Sequence, residues 1–332
     1  MKKLFIITGA NGHLGKNIIR ILLKQDVLIR GLILPLDQVQ VTESIVYIRG
    51  DVCDPQSLHQ LFDDCDQYET YVIHTAGIIQ ITNENNSHLY DVNVNGTKNM
   101  VLECLKHPIK KFVYISSVHA IAESSGTMKE VNHFSPQLVK GAYAKTKAEA
   151  SQYVLDATKK GLHAVIVHPS GIIGPYGDTS NHLIQLIDDY IHYRIPACVR
   201  GGYDFVDVRD VAQGSIQAAL IGKSGECYIL SNQYYHIKEL FQMIRKIHGG
   251  PHLINLPISL AKIFAPMIEK IAKSKHKRPL YTQYSLVTLQ SNSHFSHEKA
   301  THQLHYHTRD FKETLTDTIT YLLTQSVNLN KR

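Results

Sequence analysis

Gly9, Gly12 and Gly15 stand between a β-branched and aromatic run, Leu4 to Ile7, and a helical pattern that opens at about His13. In that setting the first glycine permits a tight turn and the second lets backbone approach a pyrophosphate. The third lets the helix pack closely on the strand. The helix start adds free N–H groups and the positive end of a dipole. Thr8-Gly9-Ala10-Asn11-Gly12-His13-Leu14-Gly15 therefore predicts a dinucleotide-phosphate cradle, because the strand and helix such a loop needs are both present.

A second pair with chemical potential is Tyr143 and Lys147, four apart at the start of a helical pattern that runs to about Lys160. They share one helix face. The spacing recurs at Tyr234 and Lys238, so spacing alone carries little. Tyr143 is distinguished by what precedes it: a strand, Lys111 to Ile115, delivers Ser116-Ser117, and a long polar loop follows from His119 to Gly141. A loop of that length in a compact domain is usually functional.

The elements that must position these residues alternate as strand and helix through the first half, which predicts an α/β fold with a doubly wound parallel sheet. Strands are expected at Leu28–Ile33, Ile45–Ile48, Tyr71–His74 and His163–His168, and helices at Pro55–Asp64 and Ser87–Lys106. Open α/β sheets bind ligands at the carboxyl ends of their strands. Asp51 and Val52 follow the third strand, and Asp51 suits an adenine amino group or a simple turn equally well. Thr75, Ala76 and Gly77 follow the fourth, small enough for a ribose or phosphate to lie against the backbone. Asn93, Asn95 and Gly96 predict a kink inside the 87–106 helix. At the end of the second strand an acid would favour NAD and an arginine NADP. The chain offers Leu34-Pro35-Leu36-Asp37, with Arg30 inside the strand, and the missing arginine leans to NAD.

Beyond Pro169-Ser170-Gly171-Ile172 the alternation breaks down. Residues 1–170 are expected to bind the dinucleotide and 171–332 to form a smaller, mostly helical substrate part. A segment around 203–222 is expected to return to the first sheet, with a ligand cleft between the two parts.

Composition narrows the class. With 332 residues, 43% hydrophobic and 19% charged, the chain can bury a sizeable core and is not disordered. The net charge of +6 suits anionic ligands, yet no arginine-rich or aromatic-interleaved stripe points to nucleic acid. The basic run Lys273–Arg278 is expected to be a solvated loop. Leu256–Ala272 is broken by Lys262, Glu269 and Lys270 and falls short of the roughly 20 apolar residues of a membrane span. It is expected to pack over the cleft rather than on a membrane surface. Five scattered cysteines without C-x-x-C spacing predict free thiols, and the early core strand leaves no room for a signal peptide, so a cytoplasmic site is expected. Twenty histidines come without a ligand pattern, so no metal site is expected.

Together these segments resemble an extended short-chain dehydrogenase/reductase of the NAD-dependent epimerase/dehydratase family, from Thr8 to about Leu323. The glycine loop, Gly50-Asp51-Val52, Val72 to Gly77, Asn93 to Thr97, Ser116-Ser117 and Tyr143 to Lys147 match in order. His168 to Pro175 and Phe205 to Ala212 match in the second half. Within the family the chain is similar to bacterial dihydroflavonol 4-reductase-like and 3β-hydroxysteroid dehydrogenase-like proteins.

The resemblance implies a Rossmann-type sheet, NAD or NADP as cofactor, and a small-molecule substrate. It assigns Ser117, Tyr143 and Lys147 as the catalytic set, with Asn93 as a water-relay residue. The cofactor would rest on the glycine loop (Thr8, Gly9, Asn11, Gly12, His13, Leu14, Gly15), on Asp51, Val52, Thr75, Ala76 and Gly77, on Tyr143 and Lys147, and on Pro169, Ser170, Gly171 and Ile172. An ordinary tyrosine, with a pKa of about 10, is a poor base near neutrality. The Lys147 ammonium and an oxidised nicotinamide would both favour the phenolate. His119 and Tyr176 are expected along the substrate pocket.

Two departures bear on the substrate. Nucleotide-sugar epimerases of the family commonly place an arginine before the Asp-Phe-Val segment, where this chain has Gly202-Tyr203. They also tend to follow the serine with Val-Tyr-Gly, where this chain has Val118 to Ala122. Both favour a smaller or more apolar carbonyl. The alternatives are a nucleotide-sugar epimerase or dehydratase that retains NAD, and a non-catalytic redox sensor. The family often dimerises through the helices that here hold Asn93 and Tyr143, so a homodimer is an open expectation.

Overall fold

Alternate side chains of β1 (Lys3–Thr8) enter two different cores, Leu4 and Ile6 on one side and Phe5 and Ile7 on the other. A strand covered on both faces reads as an unbroken apolar run, which is why no alternation marks it in the sequence. The computed structural model describes residues 1–39, 44–80, 86–263 and 282–329. In it β1 pairs in parallel with β2 (Leu28–Ile33) and β4 (Glu69–His74). With β3 (Val46–Arg49), β5 (Lys111–Ile115), β6 (Ala164–Pro169) and β10 (Cys227–Leu230), they make a seven-stranded sheet in the order β10-β6-β5-β4-β1-β2-β3. Connections leave β1 and β4 toward opposite faces, so a crevice opens between Gly9 and Thr75 at the carboxyl edge.

One face of the sheet is covered by α1 (His13–Leu22), α6 (Val208–Ile221) and α10 (Glu298–Leu304). The other is covered by a 3₁₀ turn (Pro55–Phe62), by 87–104 and by α4 (Ala142–Thr158). The expected kink is a change of helix type: α2 (Ser87–Tyr90) passes through a π-helical turn (Asp91–Gly96) into α3 (Thr97–Cys104). Such turns often mark functional sites. Gly96 is required there, since a Cβ would fall 2.6 Å from Val52 Cγ2.

After β6 a second sheet forms from β7 (Gly171–Ile173), β9 (Gly202–Asp207) and β11 (Gln233–His236), in the order β11-β9-β7. A two-stranded pair joins β8 (Ala197–Val199) to β12 (Ile254–Leu256). A third core gathers Ile173, Phe205 and Leu315 with residues of α5 (His182–Ile191) and α7 (Ile237–His248). The helices at 258–263 (α8), Gln283–Thr288 (α9) and Phe311–Leu329 (α11) complete this part, while α6 and β10 lie with the first sheet. Among the described residues no helix is long and apolar enough to cross a membrane. Most of the Leu256–Ala272 segment and all of the Lys273–Arg278 run lie outside the described residues.

Candidate active site

The glycine loop has the shape of an anion cradle. Gly9 has φ +64°, where a side chain would be strained, and a Cβ on Gly15 would lie 2.2 Å from Gly9 O. Helix α1 is therefore seated directly on the turn. Gly12 is its N-cap; no side chain caps the helix, no acid stands in its first turn, and Gly12, His13 and Leu14 line a cleft. Uncapped amides at a helix start, open to a cleft, fit a dinucleotide pyrophosphate. Asn11 stays half-buried in the turn.

Behind the cradle runs a directional hydrogen-bond chain that the sequence does not announce. Ala76 N donates to Thr8 Oγ1 at 3.2 Å, and Thr8 Oγ1 lies 2.7 Å from His74 Nδ1. His74 Nε2 lies 3.1 Å from Thr97 Oγ1, which itself donates to Asn93 O at 2.8 Å. Because Thr97 uses its hydrogen on Asn93, His74 donates from Nε2 and accepts from Thr8 at Nδ1. Burial, with the Lys147 charge nearby, drives the imidazole down to about 3, so it is neutral. Thr8 thus shapes the loop from behind, and Thr75 Oγ1 donates to Thr8 O at 2.7 Å.

His13 does not point at the cradle. Its Nε2 donates to Pro175 O at 3.0 Å and its Nδ1 accepts from Asn181 Nδ2 at 3.3 Å, which ties α1 to the loop after β7. Burial holds its pKa below the usual histidine value. Asp51 makes a turn, with Oδ1 accepting from Cys53 N at 2.9 Å. Val52 is buried under Gly96, and its carbonyl accepts from Asn99 Nδ2 at 2.9 Å. At the end of β2, Asp37 Oδ2 accepts from Leu34 N at 3.2 Å. Arg30 turns away to the Leu61 and Asp63 carbonyls. The arginine that reaches this loop is Arg49 of β3, whose Nη1 donates to Pro35 O at 2.6 Å and Asp37 O at 3.0 Å. Its arrival depends on strand pairing and was not visible in sequence order.

Tyr143 and Lys147 are both buried in the cleft wall, 7% and 5% exposed. Lys147 Nζ donates to Ile115 O at 2.8 Å and stands 4.8 Å from the Tyr114 ring centre. Desolvation pulls its pKa down to about 7. Ser116 is turned into α4: its Oγ lies 2.7 Å from Ser151 Oγ, which donates to Lys147 O at 2.7 Å. Ser117 Oγ instead accepts from His119 N at 3.2 Å, leaving its hydroxyl hydrogen for a ligand. The structure therefore separates two serines that are equivalent in sequence. The His119 ring stands edge-on to Tyr143 with centroids 6.5 Å apart. Asn93 flanks the same place: a Cβ on Gly77 would come within 3.3 Å of both Asn93 Oδ1 and Lys147 Nζ. Both amide hydrogens of Asn93 are already engaged, with Ile78 O at 3.0 Å and Thr146 Oγ1 at 3.1 Å. Its side chain braces the wall.

The cleft, about 420 Å³, falls within the usual size of small-molecule sites. Pro169 lines it from the end of β6, Ser170 to Ile172 from the passage into β7, and Leu183, Tyr203, Asp204, Thr288 and Phe295 from the second part. Tyr176 is not among them. Its backbone is left-handed (φ +66°), and the Arg20 guanidinium sits 3.7 Å over its ring, with Tyr321 edge-on at 5.3 Å. The loop from Gly174 to Gly177 folds back on α1, which carries Tyr176 into a different cavity. Asp204, by contrast, was not expected at the site, and Tyr203 was marked only as the position where the epimerases' arginine is missing. The signal for Asp204 was an acid directly before the apolar pair Phe205-Val206.

The sequence model of the NAD dependent epimerase/dehydratase family matches residues 5–230. The chain belongs to that family. It is 30% identical over 249 residues to sterol demethylase protein B of Methylococcus capsulatus, covering 74% of this chain and 75% of that protein. It is 29% identical over 328 residues to a Synechocystis protein provisionally named dihydroflavonol 4-reductase, covering 96% and 94%. The crystal structure of gox2253 superposes with a TM-score of 0.81 at 29% identity, covering 97% of this chain and 98% of that one. The protein is an NAD(P)-dependent enzyme of the extended short-chain dehydrogenase/reductase type.

Proposed function

We propose that this enzyme interconverts a small or apolar carbonyl compound and its secondary alcohol, with Tyr143 as the proton donor and acceptor at the substrate oxygen. The observation that carries the reading is the cleft wall opposite the glycine loop. Tyr203 holds the place where a diphosphate would need a guanidinium, and its hydroxyl is tied to Ser285 O at 3.3 Å and Thr288 Oγ1 at 3.0 Å. Asp204 stands beside it, and no arginine lines the cleft among the described residues. A diphosphate sugar would find no guanidinium there to offset its charge.

A nicotinamide, when bound, supplies or accepts the hydride. Ser117 donates its free hydroxyl hydrogen to the reacting oxygen and orients it. Lys147, fixed by Ile115 O, lends charge that favours the Tyr143 phenolate, the form that takes a proton in the oxidative direction. Burial in a wall shared by both parts excludes water from these groups. NAD is the preferred cofactor in this reading. The Asp37 carboxylate occupies the loop that would face a 2′-phosphate, and Arg49 there is engaged by backbone carbonyls.

The test is a panel of ketones and aldehydes offered with NADH to protein stripped of bound nucleotide. Net cofactor oxidation with a ketone supports the reading. Retained NAD, no net turnover and interconversion of a nucleotide sugar would replace it with the epimerase alternative.

A further inference from the structure

The cleft contains a buried acid that hydride transfer as outlined leaves without a task. Asp204, on β9, is 3% exposed. Both of its protein hydrogen bonds fall on one oxygen: Oδ1 accepts from Ser170 Oγ at 2.5 Å and from Asn232 N at 3.0 Å. Oδ2 has no hydrogen-bond partner among the described residues, and the residue lines the cleft. The other buried acids nearby are treated differently. Asp207 is paired with Arg209 at 2.7 Å, and Asp210 with Arg309 at 2.8 Å. No cation pairs with Asp204 among the described residues, and desolvation raises its carboxyl to about 7. An acid this deep without a full set of partners destabilises the free protein. A donor arriving at Oδ2 from the cleft would relieve that cost.

The position is suited to substrate. Ser170, which donates to Oδ1, belongs to the segment beginning at Pro169, and the neighbouring His168 donates from Nδ1 to Ser117 O at 3.0 Å. A short path along β6 and β7 thus joins Asp204 to the serine that would orient the reacting oxygen. The groups bonded to Asp204, the Ser170 hydroxyl and the Asn232 amide, are neutral, and no second carboxylate lines the cleft among the described residues. That setting fits a neutral donor better than an ammonium.

We propose that Asp204 Oδ2 binds a hydroxyl group on the substrate distinct from the reacting carbonyl, so that the preferred substrates are hydroxylated ketones and their diols. This rests on the oxidoreductase reading above. The test compares matched ketones with and without a second hydroxyl, using the full chain and NADH. Wild type should show a kcat/KM at least about tenfold higher for the hydroxylated member, the usual size of a hydrogen bond to a buried polar group. Asp204→Asn keeps an acceptor oxygen for Ser170 and Asn232 and turns an NH₂ toward the cleft, so the ratio should fall by at least about tenfold. Equal kcat/KM for the pair in wild type, or an unchanged ratio in the variant, overturns the proposal. If wild type turns over neither ketone, the oxidoreductase reading falls. Calorimetric binding of the two compounds to wild type in the presence of NAD then decides Asp204 separately: equal affinities overturn it, and tighter binding of the hydroxylated member supports it.

Discussion

Asn93 holds both backbone polar groups of Ile78: Oδ1 accepts from Ile78 N at 2.8 Å and Nδ2 donates to Ile78 O at 3.0 Å. The π-helical turn aims this side chain, and Thr97 and His74 secure the turn from behind. The segment it grips forms the cleft wall beside Gly77 and Lys147. Asn93→Ala should therefore weaken NADH binding and lower kcat/KM by about 10–100-fold, with a stability loss of about 1–3 kcal/mol from the groups left unpaired. Asn93→Asp, which keeps the bond to Ile78 N but sets a buried carboxylate oxygen against Ile78 O, should be at least as damaging as Asn93→Ala. NADH fluorescence titration and chemical denaturation check both.

Two buried groups give opposite pH signatures. Lys147 titrates at about 7 in the folded protein. An unfolded lysine titrates at about 10.4, so between these values the unfolded chain binds the extra proton and stability rises with pH. Lys147→Met should raise Tm over wild type most near about pH 6, with the gain shrinking toward about pH 9. Asp204 is raised to about 7 from the ordinary carboxylate range. There the folded state binds the extra proton, so its contribution is lost as pH rises from about 4 to about 7. Ser170, the Asn232 amide, Tyr235 and Tyr306 face it, with no cation among the described residues to reverse the sign. The Tm difference between Asp204→Asn and wild type should grow from about pH 5 to about pH 8. A flat difference in either series contradicts the burial argument.

Gly15→Ala tests the cradle. A methyl group 2.2 Å from Gly9 O forces α1 off the turn. Overpacking of this kind costs about 1–3 kcal/mol, and NADH affinity should drop at least about tenfold. Unchanged NADH affinity would mean that the pyrophosphate lies elsewhere.

Cofactor choice rests on two neighbouring side chains. NADH should bind at least about tenfold more tightly than NADPH, and Asp37→Ala should narrow the gap, as expected when a carboxylate faces a phosphate. Tighter binding of NADPH, abolished by Arg49→Ala, would assign Arg49 to the 2′-phosphate instead.

Much of the parallel sheet was legible in the sequence. Leu28–Ile33 and Lys111–Ile115 coincide with β2 and β5, because strands buried on both faces appear as apolar runs bounded by turn residues. The asparagines at 93 and 95 revealed a disturbed helix but not its π register. Strands of three residues such as β7, β8 and β12 are too short to show a period. The site residues that were missed depend on long-range pairing. Asp204 is buried only when β11 lies along β9, and Arg49 reaches Pro35 only when β3 lies along β2. Tyr176 was expected along the substrate pocket, whereas Arg20 and Tyr321 hold its ring outside the cleft.

In the proposed reaction Tyr143 moves the proton in a cleft that binds nicotinamide independently of it. The most direct measurement pairs NADH titration with single-turnover hydride transfer from deuterated NADH in wild type and Tyr143→Phe. We expect label on the carbinol carbon of the wild-type product. In the variant, NADH affinity should stay within about threefold while transfer falls at least about a thousandfold, the scale of general acid catalysis lost at a reacting oxygen. Transfer in Tyr143→Phe at most of the wild-type rate would mean that another group delivers the proton.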